Sequence, residues 1–359
     1  MMLTNLLNKL QTQVELVGLD IGTASVKLVQ LLKDKDGYTA AAAVKEEIQL
    51  DGGSKSRSAA TVDAVKRCLK KANLSSRNVV CGVSGPDVMV RGFKFPPLPD
   101  EAVDQAVRFE VRQVCPFDSK DMILDYQLIE NPAVEQQKGS SASPRSGLMI
   151  ACTEHVVTEK TRILNEAGAK ALLVDADALA LLNCLNELHM LDTNSTVAVI
   201  DVGWELTNVV IYGQDGLPFV RDLATAGRHI VEKIAKDVDL PMEAVRRALA
   251  GEEIEHALKS KVLLALNNAV RPLALAINET LRFYSYQEKQ AAVEKIFLCG
   301  GFSLLDTFME FFADALPIEV QVLNPFDKIK CQAGDEGNHL LKTEGPGLVV
   351  ATGLAMRTI

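Results

Sequence analysis

The chain has 359 residues, of which 48% are hydrophobic and 24% charged; this is an ordinary globular composition and excludes wholesale disorder. Its formal net charge of −9 gives no chain-wide electrostatic case for binding nucleic acid or an anionic membrane. The longest apolar stretch, 171–185, is broken by Asp175, Asp177 and Asn183, so no transmembrane span is expected. Seven scattered cysteines without a Cys-x-x-Cys pair predict reduced, mostly buried thiols in a cytosolic protein rather than disulfides or a zinc site.

In chain order, Leu3, Leu6, Leu7, Leu10 and Val14 recur at helical spacing and predict an amphipathic helix over 1–13. Residues 14–50 read as three strands, 59–71 as an amphipathic helix and 78–84 as a buried strand. The run Arg91-Gly-Phe-Lys-Phe-Pro-Pro-Leu-Pro99 is expected to break regular structure. Asp100 then caps a helix to about Val114, which Pro116 stops. Within that helix Val103 and Val107, one turn apart, should fill a local core. A strand over 122–130, an exposed loop over 131–146, a strand over 148–152 and a helix over 155–167 follow.

After a segment at 171–188, a second strand hairpin and a third strand ending near Asp222 are expected. Helices are predicted over 228–238, 241–250 and 252–288, the last bent at Pro272. A buried strand at 295–299 runs into the Gly300-Gly301 turn and another helix.

Two stretches carry the chemistry. Val17-Gly-Leu-Asp20-Ile-Gly22-Thr23-Ala24-Ser25-Val-Lys27 and Val197-Ala-Val-Ile-Asp201-Val-Gly203-Trp204-Glu205-Leu-Thr207 each run from an apolar strand through Asp-x-Gly into a second β-branched strand. Glycine lets backbone approach a phosphate, hydroxyl and N–H groups donate to its oxygens, and each Asp can hold a hydrated Mg²⁺. Two such hairpins can grip one polyphosphate from both sides, with Lys27 as a point charge and Thr207 as a hydroxyl donor. A Glu205 carboxylate aimed at phosphates would cost several kcal/mol at short range, so Glu205 is expected to point away or the site is impaired.

With the later Leu298-Cys-Gly300-Gly301-Phe-Ser303, these motifs resemble, in order, the two phosphate motifs and the adenosine motif of the actin, hexokinase and sugar-kinase superfamily. The segment Phe95-Pro-Pro-Leu-Pro-Asp100 through Arg108-Phe-Glu110 and Pro116-Phe117 to Leu124-Asp125-Tyr126-Gln127 is similar to the inserted subdomain of the PilM family of type IV pilus assembly proteins, with FtsA-like cell-division proteins next. The ending at Ile359, without FtsA's linker and membrane-targeting helix, favours the PilM side. The resemblance covers about 14–357.

It implies an α/β, actin-like (ribonuclease H-like) duplicated two-lobe fold with a small inserted α/β subdomain, each lobe on a mixed five-stranded sheet. The first lobe would comprise 14–90, 169–192 and 345–359, the insertion 91–168, and the second lobe 193–344 with a helical part at about 226–290. It further implies ATP and Mg²⁺ as cofactors. Asp20, Gly22, Thr23, Ala24, Ser25, Lys27, Asp201, Gly203, Thr207, Gly227, Gly300, Gly301 and Ser303 would bind nucleotide, with Asp20 and Asp201 reaching the metal through water.

Asp177 would orient an attacking water, giving slow turnover, or would cap its helix. Arg246 and Leu249 stand where the superfamily commonly has an acidic residue and a Lys. The partner implied is the tail of a PilN-like inner-membrane protein, docked in a groove lined by residues flanking Pro96 to Pro99 and by the strand after Leu148. The protein would then be cytoplasmic, reaching the inner membrane through that partner, with self-association left open. The rival readings are a nucleotide-free scaffold, an FtsA-like protein and a small-molecule kinase.

Overall fold

Alternating β-branched and polar residues separated by two tight turns fold the start of the chain into an antiparallel meander of Leu16–Ile21 (β1), Ser25–Asp34 (β2) and Gly37–Glu47 (β3). The computed structural model describes residues 16–35, 37–50, 56–129, 144–192, 195–251, 256–287 and 291–358. The expected helix over 1–13 lies outside the described residues, as does the expected loop over 131–146 up to residue 143.

Helix Arg57–Ala72 (α1) is capped by Ser56, whose side chain accepts from the Ala59 N–H, and strand Asn78–Val83 (β4) pairs parallel with β1. The chain then leaves this sheet. Val88–Phe95 (β5) is a strand where the sequence predicts a break, because Val90 and Phe93 are buried. Asp100–Val114 (α2) has Pro99 at its cap, so Asp100 is its first residue and takes a hydrogen bond from Arg145. Met122–Leu128 (β6) and Arg145–Thr153 (β7) complete a separate three-stranded sheet in the order β5-β7-β6. Val103, Val107 and Val111 of α2 pack with Phe93, Met149 and Ala151 into a private core, while Phe109 stays 65% exposed.

Helix Glu154–Glu166 (α3) does not belong to that insertion. Its Ile163 and Leu164 pack with α1 residues such as Val65 and Leu69 against the first sheet. Lys170–Ala176 (β8) pairs parallel with β4, and Asp177–Glu187 (α4) follows. Val197–Val202 (β9), Thr207–Tyr212 (β10) and Pro218–Leu223 (β11) repeat the meander in a second sheet.

Helices Gly227–Val238 (α5), Met242–Leu249 (α6) and His256–Ser285 (α7) cover its outer side, α7 continuing through Pro272 as one helix. Lys295–Cys299 (β12), Asp306–Asp314 (α8) and Glu319–Val322 (β13) finish that lobe, whose sheet runs β11-β10-β9-β12-β13. Lys330–Cys331 (β14) pairs with β3, giving the first sheet six strands where five were expected, in the order β14-β3-β2-β1-β4-β8. The chain therefore rejoins the first sheet ahead of residue 345, and Gly334–Glu344 (α9) packs beside β3.

Helices α4 and Val349–Ala355 (α10) form the layer between the two sheets. Leu181, Leu185 and Leu354 are fully buried there, each contributing roughly 1.5–3 kcal/mol of transfer free energy. One continuous core thus joins the two sheets and fixes the ends of β1, β4 and β9 around a common cleft.

The insertion also touches the second lobe. Lys94 pairs with Asp215 at 2.9 Å, and an added Cβ on Gly92 would sit 3.3 Å from Leu217.

Candidate functional site

The two Asp-x-Gly turns close alike: the Gly22 N–H donates to the Ser25 carbonyl at 3.1 Å and the Gly203 N–H to the Leu206 carbonyl at 3.0 Å. Pairing of β1 with β2 sets Asp20 opposite Lys27, and pairing of β9 with β10 sets Asp201 opposite Asn208. A cleft of about 680 Å³ lies between the turns. Asp20, Gly22, Thr23, Ala24, Ser25, Lys27, Asp177, Asp201, Gly203 and Gly301 all line it.

Four expected residues do not line it. Thr207 faces away because side chains alternate along a strand; its hydroxyl donates to the Thr225 carbonyl at 2.9 Å. The residue seven positions after Asp201, matching Lys27 after Asp20, is Asn208, which lines the cleft and donates to Asp222 at 2.6 Å. Gly227 starts α5 against Phe302, where an added Cβ would meet the ring at 1.9 Å, and its N–H is spent on the Gly203 carbonyl. The Ser303 hydroxyl donates back to the Gly300 carbonyl at 2.7 Å.

Gly300 acts from behind. At φ 92°, it lets backbone pass where a Cβ would lie 2.3 Å from Asp201 Oδ1. Thr207→Val should lower stability by about 1 kcal/mol, the usual worth of one hydrogen bond, and leave ligand affinity in the cleft unchanged; urea unfolding and calorimetric titration check the two halves.

The cleft floor is acidic. Burial, then the nearby Asp20 charge, pushes the Asp177 carboxyl up to about 7, with Lys160 and the Ser84 hydrogen bond opposing. Burial likewise pushes Asp201 up to about 6, against the pull of Lys27. Burial disfavours the Lys27 ammonium, but Asp20, Asp201 and Asp177 outweigh it and hold it charged above its ordinary range. Lys27 Nζ lies 2.9 Å from Asp20 Oδ2.

Asp177 is the first residue of α4, with Ala176 at the cap and no side-chain cap bond, so it does not cap its helix. Its Oδ2 accepts from Ser84 Oγ at 2.6 Å, while its Oδ1 is buried without a hydrogen-bond partner among the described residues. An unpaired carboxylate oxygen beside the Asp20 and Asp201 carboxylates fits a hard divalent ion such as Mg²⁺.

Glu205 lines the cleft rather than pointing away. Its charge is offset: Oε1 accepts from Arg57 Nη2 at 3.2 Å and lies 3.6 Å from Arg228 Nη1. Arg57 Nη1 also donates to the Thr23 carbonyl, tying the two turns together. Trp204, the sole tryptophan, stacks under the Arg246 guanidinium at 5.1 Å and beside Phe302.

Arg246 and Leu249 line the cleft, and so does Glu243, the acidic residue one turn earlier. Asn208 was findable from the seven-residue spacing. Ser84 and Lys160, which also line the cleft, carried no local signal because each is placed by a different element of the first lobe.

A family model described as type IV pilus assembly protein PilM matches residues 18–359. Among solved structures, one described as a PilM-PilN type IV pilus biogenesis complex matches with a TM-score of 0.80 at 24% identity, over 96% of this chain and 98% of that one. The ethanolamine utilization protein EutJ from Carboxydothermus hydrogenoformans matches with a TM-score of 0.55 at 15% identity, over 95% of this chain and 88% of that one. A diol dehydratase-reactivating factor in nucleotide-free form gives 0.51 at 11% identity, over 94% and 98%. The actin-like α/β architecture expected from the sequence is the one this chain adopts.

Proposed function

Because this chain belongs to the PilM family of type IV pilus assembly proteins, we propose that it works in such an apparatus by holding ATP-Mg²⁺ between its lobes and docking the cytoplasmic tail of a PilN-like inner-membrane protein. The observation that carries the nucleotide half is the cleft itself, with paired Asp-x-Gly turns and the carboxylates of Asp20, Asp177 and Asp201 beside Lys27 and Lys160 in one lining. Asp20 and Asp201 would hold the metal through water, and the metal would neutralise phosphate charge. The first turn, Gly22 to Ser25, supplies backbone and hydroxyl donors. Apolar Phe302, Leu305 and Leu249 in the lining suit a base. Asp177 would orient an attacking water, with slow turnover expected.

Lobe closure would follow nucleotide only if it binds one arrangement better than another. The Lys94 to Asp215 pair and the Gly92 to Leu217 contact give such a movement a route to the insertion. There, the peptide would lie in a groove lined by residues flanking Pro96 to Pro99 and by the strand after Leu148, with Phe109 and Ile123 exposed on the same insertion. Among the described residues no helix is long and apolar enough to cross a membrane; we assign the membrane link to the partner's tail. If removing residues 1–13 alone releases the protein from the membrane in cells, that assignment is wrong.

Calorimetry with millimolar ATP-Mg²⁺ tests the nucleotide half. Lys27→Ala should weaken binding by about 1–3 kcal/mol, the scale of a charge-assisted contact. The second reading, a scaffold without nucleotide, is favoured by the Lys27 charge being already matched by Asp20 and by Glu205 in the cleft. Wild-type protein giving no heat with ATP-Mg²⁺ would establish it.

A further inference from the structure

We propose that Lys160, rather than Lys27, holds the terminal phosphate of the nucleotide. The proposal rests on the ATP reading above and adds to it the residue that tells a triphosphate from a diphosphate. Lys160 comes from α3, outside both hairpins and outside every motif of the sequence. Its Nζ donates to the Ile21 carbonyl at 2.7 Å, at the end of β1, and its side chain lines the cleft.

The two lysines differ in what already occupies them. Lys27 is paired with Asp20 at 2.9 Å and also feels Asp201 and Asp177. A phosphate approaching it must share an ammonium whose charge is already matched. Lys160 has no carboxylate within ion-pair distance among the described residues. An ammonium carries three N–H donors, and the Ile21 carbonyl accounts for one, so donors remain for an anion.

Position along the cleft says which phosphate. Lys160 is close enough to Asp177 for its charge to favour that carboxylate. Asp177 and Ser84, hydrogen-bonded to each other, line the cleft from the first lobe, whereas Phe302, Leu305 and Leu249 line it from the second. A nucleotide with its base on those second-lobe apolar side chains brings its last phosphate toward Lys160 on the first lobe. The α3 helix also follows directly on β7 of the insertion, so a phosphate held by Lys160 is felt where the insertion is rooted.

The test compares ADP-Mg²⁺ with the Mg²⁺ complex of a non-hydrolysable β,γ-imido ATP analogue. Binding is read by calorimetry and by fluorescence of Trp204, the sole tryptophan and a cleft residue. Lys160→Gln keeps a neutral donor for the Ile21 carbonyl, so a purely structural strut should tolerate it. Expected is a loss of about tenfold or more for the triphosphate, about 1.4 kcal/mol, with the diphosphate changed less than about threefold, and recovery in Lys160→Arg. Equal losses for both nucleotides, or none, overturn the assignment.

Wild-type protein that binds neither nucleotide overturns the ATP reading and this one together, and does so before any variant is made. A second measurement needs no variant. Acetylation of lysines in the wild-type protein, read by mass spectrometry, should show Lys160 protected by the triphosphate and less by the diphosphate. Absence of that difference counts against the proposal whether or not the variants fold.

Discussion

Asp177→Asn is expected to flatten the pH profile of stability of the ligand-free protein between about pH 4 and pH 7. The folded-state carboxyl is pushed up to about 7, chiefly by burial, from an unfolded value near 4. Between those values the folded state keeps a proton that the unfolded state has lost, so wild-type stability falls as pH rises through the window. The loss is on the order of 3 kcal/mol for a group displaced this far.

Asn cannot ionise, so this contribution disappears, although its amide oxygen still accepts from Ser84. Placing an amide N–H where Asp177 Oδ1 lies without a partner carries a cost of about 1–3 kcal/mol. That cost is the same at every pH. The slope therefore discriminates, not the absolute stability. A residual fall ending near pH 6 should remain from Asp201, which is pushed up to about 6. Urea unfolding at intervals from pH 4 to pH 8 measures both proteins, and parallel profiles would show that Asp177 ionises like an exposed carboxyl.

Gly18→Ala is expected to cost about 3 kcal/mol or more, or to prevent folding, since overpacking against fixed backbone lies at the upper end of mutational effects. A Cβ at Gly18 would fall 1.9 Å from the Ala351 carbonyl oxygen and 2.6 Å from the Ala355 nitrogen, both backbone atoms of α10. That helix cannot simply retreat. On its other side Gly353 packs so closely on α4 that its own added Cβ would lie 1.8 Å from the Ala180 carbonyl oxygen. Gly301→Ala is the matched control, because nothing lies within 4 Å of its Cβ position. Denaturant midpoints of the two variants should differ widely, and similar midpoints would mean that the α10 layer yields more easily than its packing suggests.

Much of the frame was legible because it is written in short-range pattern. The hairpins at Asp20 and Asp201, the helix start near Asp100, its stop before Pro116 and the Gly300 turn each depend on a few neighbouring residues. Strand β5 was misjudged because Gly92 and the following prolines look like a break. What makes it a strand is its pairing with β7 along its whole length and the burial of Phe93 in the core beneath α2. Helix α3 was assigned to the insertion by its place in the chain, yet Ile163 and Leu164 give it to the first sheet.

The sequence by itself determined the duplicated α/β plan, the pair of Asp-x-Gly turns and most of the first of them, from Asp20 to Lys27. Motif spacing and period-2 alternation fix these locally. Only the tertiary structure decided which way the second turn's side chains face, turning Thr207 inward to the Thr225 carbonyl and Asn208 to the cleft. It alone brought Lys160 to the Ile21 carbonyl and Arg57 to Glu205, pairs separated by 139 and 148 positions. The physical reason is that an ammonium or guanidinium finds its oxygen through the packing of whole helices on sheets, and no local pattern of residues encodes that distance.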